Sequence, residues 1–190
     1  MNKSQSLDMS SAEVTRGGST VEVGEVIGRY TAECFDTSGM LRWSEDYDNL
    51  VTTQGKNHLL DTGLAGGANA ISARLSLITS GTPVVGDTYA THAGFAELSN
   101  TVVAARGTPA FSASSAGVKQ TSAAVSFSII GTGTIVGSAI NVVAGTVGNL
   151  GVVADTATAS AVLYSAGLFA ASKSVTAGDT LNVTYSTTLT

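Results

Sequence analysis

Ala123-Ala124-Val125-Ser126-Phe127-Ser128-Ile129-Ile130 places Val125, Phe127 and Ile129 on one side of an extended chain and small or hydroxylated residues on the other. Side chains of a strand alternate between faces, so this pattern reads as a half-buried β-strand. Gly131-Thr132-Gly133 follows as a turn, and residues 134–143 resume a strand. Similar strand and turn signals recur outward in both directions. Ser160 to Phe169 forms a further strand pattern, and Ala177-Gly178-Asp179 turns into Thr180-Leu181-Asn182-Val183-Thr184-Tyr185. Upstream, Arg74-Leu75-Ser76-Leu77-Ile78 and Thr101-Val102-Val103-Ala104-Ala105 read as strands, separated by Ser80-Gly81-Thr82-Pro83 and other turn signals. Tyr30, Ala32 and Cys34 alternate with Thr31 and Glu33, then Asp36-Thr37-Ser38-Gly39 turns the chain into Met40-Leu41-Arg42-Trp43 as a hairpin. Turns about every ten residues between β-branched and hydroxyl-rich strands predict an all-β protein. The expected fold is an antiparallel β-sandwich or a jelly-roll-like barrel.

One helix interrupts this pattern. Leu59, Leu60, Gly63 and Leu64 recur at helical spacing over residues 53–65, with Thr52 or Thr53 as the capping hydroxyl and Gly66-Gly67 as the stop. Such a short helix needs a surface to dock on. It is expected to cover one end or face of the sheet. Residues 1–19 are polar and aperiodic and read as a flexible N-terminal arm, which a neighbouring subunit could order. Residues 20–190 form the body, with strand alternation from Thr20, Val21, Glu22 and Val23 onward.

Charged residues are 12% of the 190-residue chain, about half the usual share, and hydrophobic residues are 43%. This shortage of charge points to a surface that is partly covered by partners. The net charge of −5 comes without any basic run, so no phosphate-tracking groove and no nucleic-acid partner are expected. Residues 120–154 hold no Asp, Glu, Lys or Arg, but glycines, serines and asparagines interrupt them. They suit a sheet buried on both faces better than a membrane helix, and no membrane partner is expected. The single cysteine, Cys34, rules out an intrachain disulfide and fits a core position in a reducing cytoplasm. No apolar stretch follows Met1-Asn2-Lys3-Ser4-Gln5-Ser6, so no signal peptide is expected.

The motifs of chemistry are weak. His58 and His92 are far apart in sequence, and Asp61 is the one acid at helical spacing from His58. Glu45-Asp46-Tyr47-Asp48-Asn49 offers hard oxygens without the glycine and distal glutamate of an EF-hand. The nucleophile-elbow spacing G-x-S-x-G is absent, and Gly131-Thr132-Gly133 lacks the rest of a phosphate loop. The chain is therefore read as non-catalytic, with no cofactor and no metal. Candidate partner contacts are Val14 and Arg16 in the arm and Arg42, Trp43 and Tyr47 in the body. Trp43 alternates with Leu41, which also allows it a core role. Trp43, Tyr47 and Asp48 would be the nucleus of any receptor- or carbohydrate-binding surface.

Asn49-Leu50-Val51-Thr52-Thr53-Gln54-Gly55-Lys56-Asn57-His58-Leu59-Leu60-Asp61 resembles the N-L-V-T-x-x-G-x-N-x-L-L-D segment of small tailed-bacteriophage virion proteins. Tyr89-Ala90-Thr91-His92-Ala93-Gly94-Phe95-Ala96-Glu97 is similar to that family's middle. Leu163-Tyr164-Ser165-Ala166-Gly167-Leu168-Phe169 and the run from Val175 to Tyr185 are similar to its closing strands. The resemblance spans about residues 40–190 and leaves the arm unmatched. It implies a virion component made in the bacterial cytoplasm. The first expectation is a capsid decoration (cement) protein on the outside of the head. Such a protein would bind the major capsid protein and associate with itself, often as a homotrimer. A tail or head–tail connector component is the alternative.

Overall fold

The computed structural model describes residues 25–64, 71–92, 94–144 and 148–190. The arm over residues 1–19, the strand signals over 20–24, and the Gly66-Gly67 helix stop lie outside the described residues. The elements are β1 (Val26–Phe35), β2 (Leu41–Val51), α1 (Thr53–Leu64), β3 (Ile71–Gly81), β4 (Phe95–Glu97), β5 (Val118–Gln120), β6 (Val125–Ser128), β7 (Gly133–Ala144), β8 (Ala161–Val175) and β9 (Thr180–Leu189). The strands pair antiparallel in the order β4-β3-β7-β8-β2-β1-β9-β5, and β6 also pairs with β9. The fold is all-β with one short helix. The sheet is not closed into a barrel, so the sandwich is the form that the chain takes.

β2 joins the two halves of the sandwich. Its first part, through Asp48, pairs with β1, and Asn49, Leu50 and Val51 pair with β8. The strand thus leaves one half of the sheet and enters the other. The inward residues of both halves form one cluster: Tyr30, Cys34, Phe127, Leu181 and Val183 from one, and Leu75, Ile135, Ile140 and Phe169 from the other. Tyr30 stacks on Tyr47 at 5.2 Å between centroids, and the edge of Tyr47 meets Phe169 at 4.8 Å. Two phenols carry hydrogen bonds across the core. Tyr47 donates to Ser138 Oγ of β7 at 2.8 Å, and Tyr30 shares a 3.0 Å hydrogen bond with Ser165 Oγ of β8. Gly167 of β8 leaves room for this layer. A Cβ there would stand 3.1 Å from the Tyr47 ring, 3.2 Å from the Tyr30 ring and 2.7 Å from the Asp48 carbonyl oxygen.

The half built from β3, β7 and β8 is covered on its other face as well. Ile78, Tyr89, Phe95, Ala139, Val143, Leu150 and Leu163 form a second cluster there, beneath the loops that carry Tyr89 and Leu150. This double burial accounts for the charge-free run through β7. Arg106 holds the loops down. Its guanidinium pairs with Glu97 at 2.6 and 2.9 Å, and donates to Tyr89 Oη and to the carbonyls of Leu150 and Asp155. The side chains of Arg106 and Glu97 are 1% and 2% exposed.

α1 docks on the sheet through its first turn, where Gly55 is buried against β8, but the leucine face expected to dock is left exposed: Leu59 is 41% exposed, Leu60 60% and Leu64 84%. Thr52 caps it by accepting the Gly55 N–H at 2.9 Å while donating to the Leu163 carbonyl of β8. Gln54 Oε1 accepts the N–H groups of Tyr89 and Leu163, both at 2.9 Å. One strand reading is corrected. Residues 101–105 form a turn, because Ser99 draws them into local bonds: its carbonyl accepts the Val102 and Val103 N–H groups, and its hydroxyl accepts that of Thr101. Val102 and Val103 still reach the core from this turn. The short strands β4 and β5 have too few residues to show alternation in the sequence.

A buried ion pair is strongly destabilising when one partner is removed, because the other charge is left without compensation. Arg106→Met is expected to cost about 3–5 kcal/mol in chemical denaturation. Arg106→Met combined with Glu97→Gln is expected to recover part of that loss.

Candidate functional site

Three turns meet at one end of the sandwich: residues 36–40 between β1 and β2, 129–132 between β6 and β7, and 176–179 between β8 and β9. The first is built by Asp36, whose carboxylate accepts the Ser38 N–H at 2.8 Å, the Ser38 hydroxyl at 2.6 Å and the Met40 N–H at 3.0 Å. The Ser38 hydroxyl and the Met40 amide hold this carboxyl below its ordinary range. The turn's contribution is therefore complete above the usual aspartate value of about 3.9 and is lost only as pH falls through the lower folded value.

Asp179 binds the turns to one another. Its buried carboxylate pairs with Arg42 at the start of β2 and accepts the Thr176 N–H at 2.8 Å and the Thr176 hydroxyl at 3.1 Å. The Asp179 carbonyl accepts the Ile129 N–H at 2.9 Å, and the Ile129 carbonyl accepts the Gly178 N–H at 2.8 Å. Gly178 has φ 92°, and a Cβ on it would approach Thr37 Cγ2 to 2.5 Å, so the close contact of the first and third turns requires glycine. Beneath them Cys34 is fully buried. Burial, and then the Asp179 carboxylate, push its thiol up to about 11. A thiol that stays protonated at neutral pH is a poor nucleophile.

This end presents apolar side chains to solvent. Met40 is 68% exposed, Leu41 54% and Ile130 53%. The charged groups around them, Asp36, Arg42 and Asp179, are already occupied in holding the turns. The result is a firm support with an apolar tip, which suits contact with another protein surface and offers no convergent acid, base or nucleophile.

The residues singled out from sequence take different places. Arg42 is at this end, where its guanidinium pairs with Asp179 and donates to the Thr176 hydroxyl at 3.1 Å. Trp43 is half-buried, its ring edge on Phe169 at 5.6 Å between centroids. Tyr47 is 6% exposed and lies between the two halves of the sheet, so its ring is committed to the core. Val14 and Arg16 lie outside the described residues. The acidic stretch of β2 is divided by strand alternation. Glu45 pairs with Lys173 at 2.8 Å, while Asp46 and Asp48 face Arg29 on the other side. Burial moves the His58 imidazole below its ordinary pKa, and Asp61 opposes the shift. Among the described residues no three His, Cys, Asp or Glu side chains converge as a metal site, and no helix is long and apolar enough to cross a membrane.

Asp179, Met40, Leu41 and Ile130 were not read from sequence as members of one site. Ile130 carries a signal: it follows Ile129 and so falls on the polar side of the Val125–Phe127–Ile129 alternation. The scan of family models, the search of curated proteins and the search of solved structures found no match.

Two outcomes check this geometry. In native protein at neutral pH, Cys34 is expected to resist a thiol reagent and to react fully once the chain is denatured. Asp36→Ala is expected to speed hydrogen exchange at Ser38 and Met40 while leaving the amides of β1 and β9 protected.

Proposed function

We propose that this chain is a structural component of a tailed-bacteriophage virion, assembled in the host cytoplasm, and within that class a capsid decoration protein. It binds the major capsid protein on the exterior of the head and associates with itself, as a homotrimer. The observation that carries this reading is the braced apolar tip formed by Met40, Leu41 and Ile130 on a charge-poor body. A backbone already braced by its turns loses little further freedom on docking, so the cost of ordering is confined to the exposed side chains, which favours specific protein contact. The resemblance of residues 49–61 and of the closing strands to small virion proteins supports the same assignment.

The β-sandwich suits this role mechanically. Its two halves are tied through the core by tyrosine hydroxyls, and its loops are tied by Arg106. Many copies binding an assembled shell, and not its free subunits, stabilise the shell by mass action. A sugar-binding role has less support. Recognition of sugars by stacking needs an open aromatic face, and every aromatic side chain in the sequence is buried or partly buried here.

The tip and the location are tested together. Burying a large apolar side chain is worth about 1.5–3 kcal/mol. Met40→Asp with Leu41→Asp is therefore expected to weaken binding to purified heads about a hundredfold or more, with the melting temperature unchanged. Antibody against the chain is expected to decorate the heads of particles made from the genome that encodes it. Label confined to tails would reassign it to the tail or head–tail joint, and particles without label would overturn the virion reading.

A further inference from the structure

The opposite end of the sandwich carries an open trough of about 1150 Å³. It is lined by Leu59, Leu60 and Leu64 of α1, by Val26 at the start of β1 and Leu189 at the end of β9, and by Tyr164 of β8. Leu60 is 60% exposed, Leu64 84% and Leu189 62%. Apolar surface of this extent favours a cover, at roughly 25 cal/mol for each Å² removed from water.

The chain itself arrives at this trough. Glu25 lines it, and its backbone pairs in both directions with Thr190, each bond 3.0 Å long. The entry point of the preceding 24 residues is thereby fixed at the trough's edge. α1 has twelve residues and is about 18 Å long. An extended chain advances about 3.3 Å per residue, so residues 19–24 are long enough to run beside it. Their sequence has the matching character. Val21 and Val23 alternate with Thr20 and Glu22, giving one apolar edge. Lys56 and Lys119 line the trough, opposite in charge to Glu22.

We propose that this trough is the seat of the chain's own residues 19–24, with Val21 and Val23 against the leucines of α1 and Glu22 beside Lys56 and Lys119. A segment tethered at the trough's edge acts at an effective concentration in the millimolar range. The same segment of a second copy, free at micromolar concentration, competes poorly with it. The docked segment closes one apolar end of the sandwich and leaves the tip at Met40 as the free one.

The test uses the full chain with a nitroxide on Ser19→Cys, Cys34 being buried and unreactive. The methyl resonances of Leu59, Leu60, Leu64 and Leu189 are expected to lose most of their intensity, equally at high and low protein concentration. Adding Val21→Asp and Val23→Asp is expected to restore that intensity with the rest of the spectrum unchanged. Undiminished methyl signals would overturn the proposal. So would broadening that survives the two aspartates. Broadening seen only when spin-labelled and isotope-labelled chains are mixed would also overturn it, by assigning the trough to a second copy.

Discussion

A phenol can cross the core of a β-sandwich only where its hydroxyl finds a partner on the far side. That requirement organises this molecule. Tyr47 reaches Ser138 and Tyr30 reaches Ser165, so β7 and β8 must carry serines at inward positions otherwise suited to valine or isoleucine. Gly167 must lack a side chain so that the rings fit, and β2 must turn from one half of the sheet into the other beside it. Asn49 adds a further tie by donating to the Tyr185 hydroxyl at 3.0 Å. The hydroxyl-rich composition is thus partly internal structure.

The same economy governs the charged groups. Arg106, Glu97 and Asp179 are buried, and each holds separate loops or turns in place. The pairs of Arg29 with Asp46 and Asp48 are exposed and contribute little. What the body offers outward from its turn end is shape and apolar surface. The cross-braced sheets and buried ties make that end a firm support for the proposed contact with another protein.

Much of this could be read from the sequence because strand alternation is local. The Val125–Phe127–Ile129 alternation, the Asp36–Gly39 turn and the Thr52 cap all appear in the structure where the residues place them. Residues 101–105 misled because Val102 and Val103 are β-branched, yet the bonds to Ser99 curl the chain, so that Val103 makes only an isolated bridge to Ile129 and no strand forms. The tip was hidden for a different reason. Met40, Ile130 and Asp179 are distant in sequence, and the pairing of β6 with β9 and of β1 with β9 brings them to one end. Tyr47 looked like a surface aromatic within an acidic stretch. Alternation along β2 instead turns it inward while Asp46 and Asp48 point out.

The proposed role requires that the chain associate with copies of itself. Sedimentation velocity of the purified full chain, from low to high micromolar concentration, measures that most directly. A discrete oligomer that forms as concentration rises is the expected result. A monomer throughout that range would contradict it.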